Sequence, residues 1–142
     1  MKTLADLIKE AHMVVPTIKC EELAANKDGL MLIDVRESSE LEETGSIDGA
    51  LNIPRGLIEM KLSPNDESMD VNTPIVVFCG GGSRAALAGS TLLNLGFKNV
   101  KNLEGGFREW KDFSKWIYFV LIQKKEGYCP LFNSISFFRT YI

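Results

Sequence analysis

The stretch Ile75-Val76-Val77-Phe78-Cys79-Gly80-Gly81-Gly82-Ser83-Arg84 decides how this chain reads. Its first four residues are β-branched or aromatic with no polar alternation, the pattern of a strand buried on both faces of a parallel sheet. A cysteine ends the run, three glycines follow, and a helix is predicted from about Ser83 to Leu95. Ala85, Ala88, Leu92 and Leu95 recur in that helix at three- and four-residue steps. Gly96 stands where a left-handed residue closes a helix, and Phe97 where a hydrophobic contact follows it. The glycines allow the loop to curl with successive backbone N–H groups pointing inward, which makes an anion-binding nest. The helix start adds free N–H groups and a positive dipole end to the same cavity. Arg84 adds a permanent cation with forked donors. Such a field favours a thiolate, so Cys79 reads as a nucleophile beside an oxyanion site. A lone cysteine at a strand end is often an inert core thiol; the glycines and Arg84 directly behind it argue otherwise. The loop is not a nucleotide cradle, since it has neither the Lys-Ser or Lys-Thr pair of a P-loop nor G-x-G-x-x-G spacing.

Working outward, Leu30 to Val35 is a continuous apolar run interrupted only by Asp34, Ala50 to Ile53 a second strand, and Asn99 to Leu103 a last one. Met13-Val14-Val15 is a short strand candidate. Helices are predicted over Lys2 to Ala11, where Thr3 and Asp6 make a capping pair, and over Ile18 to Asn26 behind an N-cap at Thr17. Two more are expected at Ser38 to Glu43 and Gly106 to Phe113. Strands alternating with helices imply an α/β fold with a mainly parallel sheet.

With 142 residues the chain has room for one core. A net charge of -3 carries no basic bulk and points away from nucleic acid. Cys20, Cys79 and Cys129 are an odd number with no paired spacing, which argues for a reducing compartment rather than a disulfide framework. The opening MKTLADLIKEAH has charges within its apolar stretch and no small-residue cleavage site, so a cytoplasmic location is expected. His12 is the single histidine, which leaves no Cys–His dyad and no histidine-based metal site.

From Ser114 the composition changes. The last 29 residues hold 8 of the 13 aromatics, with four basic residues against one acid; the preceding part has 12 basic against 18 acidic groups. The expected organisation is therefore a domain over residues 1–113, first helix included, and an aromatic, basic extension over 114–142. That extension is either packed on the core, irregular, or a membrane-surface or partner-binding element. No membrane span is expected, because Trp116 to Ile122 is a short apolar run where roughly 20 residues are needed.

The cysteine loop, Leu32-Ile33-Asp34-Val35-Arg36-Glu37 upstream, and Glu104-Gly105-Gly106-Phe107 with Trp110 downstream together resemble the rhodanese homology domain. Gly45-Ser46-Ile47-Asp48-Gly49-Ala50-Leu51-Asn52-Ile53-Pro54-Arg55 is similar to the family segment before its third strand. The resemblance runs from about Val15 to Phe113. It implies a five-stranded parallel sheet flanked by helices on both faces, and a Cys79 that cycles between thiol and persulfide. It also implies a small anionic sulfur donor such as thiosulfate, and cyanide or a thiol as acceptor, a small thiol protein included. No metal or organic cofactor is implied. A related phosphatase branch has one residue more between cysteine and arginine; here Gly80, Gly81, Gly82 and Ser83 alone intervene, which favours sulfur. A phosphatase or arsenate reductase and a non-catalytic binding module are the alternatives. Many members have a histidine where Ser46 stands, and often a serine where Ala85 stands.

The site expected from the resemblance is Cys79 as nucleophile, with Gly80, Gly81, Gly82, Ser83 and Arg84 holding the donor. Arg55 is a candidate to draw anionic donors to the mouth, or else a solvated surface group. Asp34 and Arg36 lie at a carboxyl strand end, where open α/β sheets place ligands, and are expected to support the site as an ion pair bracing the loops. Cys20 and Cys129 are expected to be bystanders.

Overall fold

A computed structural model of the chain describes residues 1–64 and 68–125. Five strands, β1 (Thr17–Ile18), β2 (Met31–Asp34), β3 (Leu51–Asn52), β4 (Ile75–Phe78) and β5 (Val100–Leu103), form one sheet in the order β1-β5-β4-β2-β3. Every neighbouring pair is parallel. β4 is buried along its whole length, as its unbroken apolar run predicts. Its side chains alternate between two cores. Ile75, Val77 and Cys79 face a cluster with Ala85, Ala88, Leu92 and Phe97, while Val76 and Phe78 join Leu23, Leu103 and Phe107.

The first of those clusters is covered by α5 (Ser83–Asn94), by α4 (Ile58–Lys61) and, outside α5, by α1 (Leu4–Val14). The second lies under α2 (Cys20–Ala25) and α6 (Gly106–Lys125). α3 (Ser38–Thr44) follows β2. The predicted α/β architecture, parallel and flanked by helices on both faces, is the one found.

Local chemistry sets several boundaries. Thr3 and Asp6 form the capping box of α1 as read from the sequence. α5 stops where Gly96, at φ 104°, donates to Leu93 O and the Phe97 N–H reaches back to Leu92 O, a Schellman closure. Two expectations fail at the amino end. Met13 and Val14 are the last turn of α1 rather than a strand. Thr17 and Ile18 are not a helix cap and first turn; they pair with Asn102 and Leu103 as the edge strand. Backbone pairing with β5 outweighs the local helix signal there, and the helix begins only at Cys20. The turn Arg55–Leu57 and α4 were not foreseen; they bury Ile58 beneath α5.

α6 is longer than predicted, continuing from Gly106 past Phe113 to Lys125. No glycine or proline interrupts this stretch, and the change of composition at Ser114 falls inside the helix. Among the described residues no helix is long and apolar enough to cross a membrane. Cys129 lies outside the described residues.

Candidate active site

β2 and β4 are neighbours from which the chain departs to opposite sides of the sheet, and α/β sheets hold ligands at such a switch point. The Cys79 loop leaves β4 there. Cys79 is buried, and its Sγ accepts the backbone N–H of Gly82 at 3.0 Å. Gly82 takes φ +112° as it opens α5. Three outside groups fix the loop. Phe107 N donates to Cys79 O at 2.7 Å, Arg108 N to Gly80 O at 3.2 Å, and the buried Asn102 Nδ2 to Gly82 O at 3.0 Å.

The first two bonds need α6 to start directly against the loop. A Cβ on Gly106 would lie 2.6 Å from Cys79 O and 2.8 Å from the Gly80 carbonyl atoms, and Gly106 holds φ +62°. Only glycine meets both conditions without displacing backbone.

Arg84 heads α5 and turns toward Glu40 of α3, with Nη1–Oε2 at 2.7 Å and Nη2–Oε1 at 2.9 Å. Glu40 is itself held by the Glu37 N–H at 2.9 Å in a capping box. Chiefly through the Arg84 hydrogen bond, its carboxyl falls from the ordinary 4.5 to about 2. In the other direction the pairing holds the Arg84 guanidinium more firmly protonated, and the adjacent Cys79 sulfur adds to this. Both side chains are about two-fifths exposed, so the pair contributes no more than about 1 kcal/mol.

The folded carboxyl titrates below the unfolded one, so this contribution is complete above pH 4.5 and is lost as the pH falls toward 2. A Glu40→Gln chain should therefore be less stable than wild type at neutral pH, and the two should converge across that window. Urea midpoints measured through the acid range test this, and a gap that does not change with pH would contradict it.

Asp34 and Arg36 form a buried pair. Arg36 Nε and Nη2 reach the Asp34 carboxylate at 3.0 and 2.7 Å, and Ser46 Oγ donates to the same carboxylate at 2.6 Å. Arg36 also binds Thr44 Oγ1 and Gly45 O, and its guanidinium lies 4.2 Å over the Phe107 ring. The pair thus braces α3 and the Gly45–Ser46 turn against the residue that anchors Cys79 O. Arg55 is not brought to the loop: its guanidinium binds Glu59 at 3.3 Å and Thr91 at 3.1 Å, the latter roughly two turns along α5 from Ser83. Burial pushes the Cys20 thiol up to about 11, with Glu109 and Glu21 acting in the same direction, so it is a poor nucleophile.

Glu40, Asn102 and Arg108 were missed as parts of the site. Only Glu40 left a trace in the sequence, as the third residue of a helix behind Glu37.

Known proteins resemble this chain. A Schizosaccharomyces pombe protein provisionally named a mitochondrial thiosulfate sulfurtransferase is 35% identical over 91 residues, covering 58% of this chain. The match spans 63% of that protein, less than two thirds of its length. The human single-domain sulfurtransferase TSTD1 superposes with a TM-score of 0.60 at 30% identity, over 69% of this chain and 96% of its own. A Rhodopseudomonas palustris protein of unknown function, described as a possible tyrosine phosphatase, superposes at 0.72 with 27% identity, over 80% of this chain and 92% of its own. The family model for the rhodanese-like domain matches residues 19–113, most of the chain and all of the loop described above, and this chain belongs to that family.

Proposed function

We propose that the chain is a sulfurtransferase that carries sulfur as a persulfide on Cys79. The observation behind this reading is the buried Cys79 sulfur receiving the Gly82 N–H within a loop of four residues between cysteine and arginine. In the first step the Cys79 thiolate forms a bond to the outer sulfur of thiosulfate. The S–S bond of thiosulfate breaks, and sulfite leaves with the bonding pair. In the second step cyanide, or the thiolate of a small molecule or small protein, attacks the outer sulfur of the persulfide. Thiocyanate or a new persulfide departs and the Cys79 thiolate returns. The loop N–H groups hold the anionic sulfur between steps, and Arg84 stabilises charge beside it. Names of relatives favour this class, and thiosulfate as the donor is part of the proposal.

Thiocyanate formation from thiosulfate and cyanide tests the reading. Arg84→Ala removes a charged hydrogen-bonding group worth about 1.5–3 kcal/mol. At about 1.36 kcal/mol per tenfold, kcat/KM should fall by roughly one to two decades. Arg84→Lys keeps the charge but not the fork that Glu40 engages, and should recover only part of the loss. An Arg84→Ala chain with unchanged kcat/KM would remove Arg84 from the mechanism.

The R. palustris neighbour gives a phosphatase reading one point in its favour. A four-residue gap makes a tighter bowl than the phosphatase branch has, suited to one sulfur atom. Hydrolysis of an aryl phosphate in preference to thiosulfate turnover would reverse this ranking.

A further inference from the structure

The loop arginine does not offer its charge freely, since both of its terminal nitrogens are engaged by Glu40. With Arg55 bound to Glu59 and Thr91, and Arg84 paired with Glu40 beside the Cys79 sulfur, neither cation expected from the sequence is free of a carboxylate. A third one is. Arg108, in the first turn of α6, donates Nε to Gly80 O at 3.3 Å, and its Nη2 lies 2.7 Å from the point where a Gly81 Cβ would stand. Its side chain therefore lies along the half-buried Gly80 and the exposed Gly81, and a side chain at position 81 would displace it. The residue is exposed, and among the described residues no carboxylate pairs with it. Of its five N–H donors the loop uses one on the side chain, which leaves the forked end beside Gly81 with no carboxylate on it.

Resting on the sulfurtransferase reading, we infer that Arg108 is the donor-positioning residue of this site, holding the anionic head of a thiosulfate-like donor while its outer sulfur enters the loop. The chemistry requires such a group at the rim. The bond to be broken must lie in line behind the sulfur under attack, so the sulfonate end projects from the bowl by about one S–S bond length beyond the transferred atom. It ends at the mouth rather than among the loop amides, and sulfite leaves from there. A planar guanidinium suits a three-oxygen anion, and an exposed cation also raises the local concentration of anions in a chain of net charge -3.

The test uses the full chain with Arg108→Gln, Arg108→Lys and Arg108→Glu. Lys111→Gln serves as control, because Lys111 lies one turn further along α6 against Phe107. For Arg108→Gln the thiosulfate KM should rise about fivefold, the scale of one exposed charge interaction, with kcat within about twofold. Arg108→Glu should raise it further and Arg108→Lys should restore most of it. The increase of KM with salt should be steep in wild type and flatter in Arg108→Gln.

A second readout needs no sulfur chemistry: the rate of Cys79 alkylation by anionic iodoacetate relative to neutral iodoacetamide, followed on the Cys79 peptide. That ratio should fall in Arg108→Gln and recover in Arg108→Lys. A loss of kcat with unchanged KM and unchanged alkylation ratio would make Arg108 a clamp on Gly80 only, and overturn the inference. An equal effect from Lys111→Gln would overturn it as well, by reducing it to net charge. A wild-type chain that forms no persulfide from thiosulfate would sink the sulfurtransferase reading, while the alkylation ratio would still decide whether Arg108 governs anion entry.

Discussion

Cys79→Ser should bring thiocyanate formation from thiosulfate and cyanide down to the level of buffer alone. Serine places an oxygen where the sulfur accepts the Gly82 N–H, so the loop keeps its hydrogen bond and the fold is expected to survive. An alcohol forms no persulfide, and no partial activity should remain. Cys20→Ser should retain most turnover, because burial leaves that thiol protonated, with a value of about 11. Matching melting transitions for the wild-type and Cys79→Ser chains would show that the loss is chemical. Turnover by Cys79→Ser at the wild-type rate would end the account.

The second large effect concerns stability. Asp34→Ala leaves the Arg36 guanidinium buried at 3% exposure with no carboxylate beside it. Removing one partner of a buried ion pair typically costs about 3–5 kcal/mol, which is a large part of the 5–15 kcal/mol that holds an ordinary domain folded. The Ser46 hydroxyl and the Arg36 N–H would lose their acceptor at the same time. Denaturant unfolding should show a much lower midpoint, and Asp34→Asn should fall between, since an amide oxygen still accepts. Because Arg36 lies over Phe107, whose N–H holds Cys79 O, activity should fail before the chain unfolds completely. A loss below about 1 kcal/mol would mean that the pair contributes little to the brace.

Much of the site was legible because it is local. Phe78 to Arg84 encodes strand end, loop and helix start within one short stretch, and the structure keeps that order. The cap of α1 and the closure of α5 were equally plain, since each depends on residues a few positions apart. What could not be read arrives through the fold. Glu40 meets Arg84 only because α3 and α5 flank the same switch point, and the sequence shows Glu40 merely as part of an acidic helix. Asn102 is only a polar residue within the last predicted strand until its hydrogen bond to Gly82 O is seen. Gly106 belonged to a recognised motif, but its role against the Cys79 and Gly80 carbonyls needs coordinates. The misplaced amino-terminal elements have the same origin: Thr17 is a sound helix cap locally, and it becomes a strand because β5 offers it a partner.

The most direct test of the persulfide claim is intact-protein mass spectrometry of the chain after exposure to thiosulfate, before and after cyanide. A gain of one sulfur atom is expected, located on the peptide carrying Cys79, that cyanide removes as thiocyanate. A chain that gains no sulfur on Cys79, or holds it in a form that cyanide leaves in place, would contradict that claim.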